Sequence, residues 1–288
     1  MIAIGGGLLA AILWAIANVG STRAGHHIGT PSTVALSTSI GFVLTAPLVL
    51  ATPVPALTPD DVAALALAAV GGTLGLLLAY RAMRMGKIGI TTAIISTEGA
   101  IAALLSVLAG EQLRPLTAAT LGVIVVGVAV LALKGNDAAE EAEARVLVPG
   151  GTLRAVVYAT GAAILFGVGL FAVAHVASVM PLAWAAFPSR LGGFLLVFVP
   201  LAVTGRLRVS RDALPVILVV ALSDVIGIFS FAIGTTENAA IASVLAGQVG
   251  AVSTVAAFIL FRERLTRPQS AGLVAIALGV AALALSRA

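Results

Sequence analysis

Cysteine is absent from the chain, and charge is scarce: Asp, Glu, Lys and Arg together supply 10% of the 288 residues. Without cysteine there is no disulfide framework, no thiolate metal site and no cysteine nucleophile. A soluble domain carries roughly a quarter charged residues, because it must present a polar surface to water. A chain that is 60% hydrophobic with a mean hydropathy of +1.15 has an apolar solvent instead. The net charge of +4 does not point to nucleic acid, because the basic residues sit in short breaks between apolar runs and form no long face. Also missing are His-Glu-x-x-His, Gly-x-Ser-x-Gly, a P-loop and Gly-x-Gly-Asp, the parts of common intramembrane hydrolases and nucleotide-driven machines. The histidines of "GHH" (25–27) read as loop residues without further ligands, so no metal or other cofactor is expected.

Long apolar runs are what the sequence does contain. A bilayer core about 30 Å thick takes roughly 20 helical residues to cross, and division at charges, glycines and prolines yields ten such segments. They cover 2–20, 32–52, 62–80, 88–109, 116–133, 155–174, 181–204, 213–234, 239–260 and 268–286. Helices are expected because hydrocarbon leaves backbone groups no outside partner, and the alternation of a barrel strand is missing.

The chain also repeats itself. "AAIL" at 10–13 returns at 162–165, and "GVAVLAL" at 127–133 returns as "GVAALAL" at 279–285, both at an offset of 152 (162 minus 10, 279 minus 127). At that offset Glu111 falls on Glu263 and Leu113 on Leu265. The expected fold is therefore all-α and membrane-embedded, with ten transmembrane helices in two five-helix repeats: residues 1–133, a polar linker at 134–152, and residues 153–288. Five is odd, so the second unit enters the membrane in the opposite sense, an inverted repeat of the kind found in secondary transporters. Thirteen of the 16 Lys and Arg residues follow helices 1, 3, 5, 7 and 9. The positive-inside rule then places both termini outside the cytoplasm, in a multi-pass protein of the plasma (inner) membrane.

The two junctions carry a resemblance. "LAGEQLRPLTAATLGVIVVGVAVLAL" (108–133) and "LFRERLTRPQSAGLVAIALGVAALAL" (260–285) look like the helix junctions of the EamA family of the drug/metabolite transporter superfamily. That resemblance implies movement of small metabolites by alternating access, as export or exchange. The proline common midway along the fourth helix of each half in that family is missing near Glu98 and Gln248.

Three ionised residues lie deep in the apolar runs: Glu98, Arg190 and Asp224. A charge at a helix centre costs ~2.5 to 3.5 kcal/mol on insertion scales and normally faces a bundle interior or wet cavity. Thr91, Glu98, Ala102 and Ser106 form one small, weakly polar stripe. The three charges are expected to share an interior, with Arg190 pairing either acid and Glu98 serving as the proton-linked group. Trp14 and Asn18 share a face of helix 1, Phe166 occupies the repeat position of Trp14, and Gln248 sits centrally in helix 9. Tyr80 suits either the cavity or an interfacial belt. Pro188 is expected to kink helix 7. Glu111 and Glu263 are read as structural junctions that accept from the next helix's N-terminal amides.

The expected function is a secondary transporter, a monomer or homodimer in the lipid bilayer, moving a small metabolite such as an amino acid, amine or similar amphipathic solute. The alternative is a membrane-embedded structural or assembly subunit.

Overall fold

In this computed structural model, residues 1–85, 91, 94–132, 151–252, 255 and 267–285 are described. They form ten helices: α1 (Ile2–Ile28), α2 (Thr30–Leu50), α3 (Pro59–Met85), α4 (Glu98–Leu108), α5 (Pro115–Ala132), α6 (Gly151–Val179), α7 (Leu182–Val203), α8 (Leu214–Thr235), α9 (Ala239–Ala246) and α10 (Arg267–Leu285). Six of them, α1, α2, α3, α6, α7 and α8, are long and apolar enough to cross a membrane; the other four are shorter apolar helices within the described residues.

Helix ends differ from the sequence expectation in a consistent direction. α1 continues to Ile28, so "GHH" lies in its last turn and not in a loop. A helix satisfies its own backbone, so it need not stop where its side chains turn polar. It stops at Gly29, whose φ of 82° suits a residue without a Cβ and lets α2 begin one residue later. Gly110, at φ 106°, plays a similar part after α4. α7 contains Pro188, which cannot donate to Trp184 O, and then widens into a π-helical turn at Phe194–Phe198.

Small residues set the packing. Two buried hydroxyls on α2 turn to their own helix: Thr38 donates to Val34 O at 2.7 Å and Thr45 to Gly41 O at 2.9 Å. α1 packs on α8 and α3 on α6, in both cases antiparallel; a methyl on Gly71 would fall 2.5 Å from Leu165 O, and one on Gly161 would fall 3.1 Å from Leu78 Cδ1. α2 meets α7, α4 meets α9 and α5 meets α10.

Three of these contacts occur twice, at the offset of 152 seen in the sequence. The Trp14 ring lies over Gly227 and the Phe166 ring over Gly75; a methyl on either glycine would fall 2.7 Å from the ring. Ile124 lies over Gly279, at 2.5 Å from such a methyl, and Ile276 over Gly127, at 2.9 Å. Arg190 Cδ lies over Gly41, at 2.8 Å, and Thr38 over Gly193, at 2.6 Å. In each pair the large residue of one half seats on the glycine of the other.

Candidate functional site

Arg190 is the most deeply placed cation among the described residues, 6% exposed. α7 delivers it two residues after Pro188, with its stem against Gly41 of α2. Its Nη1 donates to Asp224 Oδ2 of α8, so Arg190 pairs with Asp224 and not with Glu98. Nε is buried with no partner among the described residues. Such an orphaned donor in an apolar interior is costly unless a ligand or water completes it. The Asp224 side chain keeps 28% of its exposure.

Three more helices close on this pair. The Tyr80 hydroxyl of α3 meets Ser21 of α1 and lies within electrostatic reach of Asp224. Tyr80 is partly buried and packs with Val34, Ala35, Val197 and Phe198. Trp14 sits over Gly227, one turn of α8 beyond Asp224, and its ring centroid is 6.0 Å from that of Phe231. Asn18, one turn further along α1, is exposed. Beside the pair, α2 and α7 stack Phe42 on Phe194 at 4.9 Å and Phe194 on Phe198 at 5.2 Å. The π-turn sets Phe194 and Phe198, four residues apart, on one face.

Glu98 occupies a different kind of position from the one expected. Residues 96 and 97 leave the helical path, so Glu98 is the first residue of α4 and not the middle of an unbroken helix. Four amides at a helix start lack intrahelical acceptors and carry partial positive charge. Glu98 is half-buried and has no hydrogen bond or ion pair among the described residues. Thr91, Ala102 and Ser106 of its stripe are all buried. The expected sharing of one charge cluster is therefore partial: Arg190 and Asp224 are joined, and Glu98 stands apart from them.

Gln248 is 3% exposed and falls in a second helix break, at Gly247 and Gln248 after α9. Glu111 accepts from Ala239 N at 2.8 Å and Ala240 N at 2.9 Å. Those amides open α9, in the other half of the chain, and not the next helix in sequence. Glu263, its repeat counterpart, lies outside the described residues. Among the polar contacts that sequence reasoning missed, Asp61, 8% exposed, accepts from Thr58 N at 2.9 Å and faces His175 Nε2 of α6 at 3.3 Å. The signal was the Thr-x-x-Asp spacing of a helix start, at 58 to 61.

Ten apolar helices closed around a charged interior define a polytopic helical membrane protein. Residues 1–133 match the model of the EamA-like transporter family, a member of the drug/metabolite transporter superfamily. No curated protein matches the chain. A solved structure titled only "Crystal structure of protein" shares the fold: its TM-score is 0.76 at 16% identity, over 99% of this chain and 96% of that one.

Proposed function

We propose that this protein is a secondary transporter that moves a small amphipathic metabolite, such as an amino acid or amine, across the plasma membrane by alternating access. Export coupled to a proton, or exchange, is the working mode. The observation that carries this reading is the charged interior: an Arg190–Asp224 pair and, among the described residues, an unfilled Arg190 donor and no cation beside Glu98. Membrane helices rarely hold such groups without a polar pathway to serve.

The doubled contacts support an inverted repeat. α2 with α7, and α5 with α10, pair antiparallel on equivalent residues; α4 and α9 also run antiparallel, since Gly99 meets Gly247 while Glu111 reaches Ala239. A two-fold axis relating antiparallel helices lies across them, in the membrane plane if the helices span it. The ligand then binds between the halves, at Arg190, Asp224, Tyr80 and Trp14, with both termini outside the cytoplasm. The partners of the site are chemically asymmetric: Thr38 and Gly72 stand at the repeat positions of Arg190 and Asp224. The Arg190–Asp224 pair therefore has no charged counterpart in the first half, and the inward and outward states need not present Glu98 with the same surroundings. A difference in proton affinity between two states is what coupling requires.

The test is solute flux in proteoliposomes with an imposed pH gradient. Glu98→Gln, neutral and of similar size, is expected to abolish gradient-driven accumulation while leaving equal-concentration exchange intact. Full pH-driven flux in that variant would remove the coupling role.

A further inference from the structure

Two helix breaks meet inside the bundle. The chain leaves the helical path at Ser96 and Thr97 before α4, and at Gly247 and Gln248 after α9. Gly99 and Gly247 bring these segments into backbone contact; a methyl on Gly247 would fall 3.1 Å from Gly99 Cα. At each break a side chain bonds to a nearby helix carbonyl. Thr97 N and Oγ1 both donate to Ile94 O, at 3.1 and 2.7 Å. Gln248 N turns to Leu245 O at 3.1 Å, and Gln248 Nε2 donates to Val244 O, the usual helical acceptor, at 2.9 Å.

The second arrangement uses the amide's donor and strands its acceptor. Gln248 Oε1 is buried and has no partner among the described residues. It borders a cavity with apolar walls at Ala100, Val125, Val128 and Val244, and with Ser96 and Thr97 as its other polar lining residues. The cavity offers about 30 Å³ to the centre of a water-sized sphere, where one water needs ~10 to 15 Å³. Thr97 Oγ1 has committed its proton to Ile94 O, so it too presents lone pairs. Glu98, the next residue, brings a carboxylate with no cation beside it among the described residues, while Arg190 and Asp224 neutralise each other. An occupant that meets these oxygens must donate or be positive.

We propose that the crossing of the two breaks is a binding site for a monovalent cation of sodium's size. The oxygens of Ser96, Thr97 and Gln248 hold it, and the charge of Glu98 in the adjoining turn balances it. Hard cations select oxygen ligands, and paired helix breaks supply them where side chains alone cannot. The site rests on the geometry of the crossing and not on the transport reading.

The experiment measures radioactive sodium bound to the purified full-length protein in detergent, at fixed pH, with choline chloride holding ionic strength constant. Saturable binding in the millimolar range is expected, displaced at least about ten-fold better by sodium than by potassium. Gln248→Leu is expected to weaken it about ten-fold or more, since a bond to a charged group is lost. Gln248→Glu keeps the size, places an anionic oxygen at the cavity and should tighten sodium binding, so the inference stays testable if the leucine variant misfolds. Absence of saturable sodium binding, which a cavity holding only water would give, overturns the proposal. So does binding that neither substitution changes. Flux is read separately: transport without sodium binding removes this site alone, and sodium binding without flux of any solute removes the transport reading alone.

Discussion

Removing one member of the Arg190–Asp224 pair tests whether it organises the interior. Asp224→Leu leaves the Arg190 guanidinium with no counter-charge, at a residue 6% exposed whose stem rests on Gly41. Stripping one partner from a buried pair costs about 3 to 5 kcal/mol. The Asp224 side chain keeps 28% exposure, so partial screening puts the expectation at the lower end, about 3 kcal/mol. Arg190→Met leaves a better hydrated charge and should cost somewhat less. The double variant leaves no charge behind and fills the space with apolar atoms, which is often close to neutral for stability. The cycle should therefore show a coupling of at least about 2 kcal/mol, where independent sites give near zero. Equilibrium unfolding in mixed micelles, followed by fluorescence of Trp14 and Trp184, measures all four proteins. The same four are assayed for flux, where the double variant should be stable yet inactive. Additive losses, or a double variant that transports at the wild-type rate, would refute the reasoning.

Three further outcomes are expected. Glu111→Ala removes two charge-assisted bonds at the start of α9 and should cost about 1 to 2 kcal/mol locally, seen as faster hydrogen exchange at Ala239 and Ala240; unchanged exchange there contradicts the clamp. Gly75→Val and Gly227→Val each push an aromatic ring off its seat and should cost about 1 to 3 kcal/mol by thermal unfolding, with similar values for both; a large loss at one and none at the other counts against equivalent contacts. Reporter fusions that are active only in the cytoplasm should work at Gly135 and fail at Asp60 and the C-terminus, as the charge asymmetry predicts; the reverse pattern inverts the topology.

The deep charges were legible because composition isolates them: in a chain with so few charged residues, Glu98, Arg190 and Asp224 stand out inside apolar runs. Which acid Arg190 grips was not, since α8 and α4 offer equally apolar flanks and only the seat on Gly41 aims the guanidinium at Asp224. The break before Glu98 was also hidden. It lacks the proline that would mark it, and what accompanies it is backbone contact between Gly99 and Gly247, residues nearly 150 positions apart (247 minus 99). Glu111 could be read as an acceptor of amides from its place at a helix end, but its target across the bundle on α9 could not.

Taken alone, the sequence determined the apolar solvent, the helical class and the count of apolar segments, because hydropathy and helix length are properties of local composition measured against a bilayer. Its offset of 152 also indicated which residues are equivalent, as Trp14 to Phe166. Tertiary structure decided what each residue meets: Trp14 on Gly227, Tyr80 beside Asp224 and Ser21, and two broken helices crossing at Gly99 and Gly247. Those choices depend on close approach between helix backbones at small residues, a matter of shape between distant segments that no local period encodes.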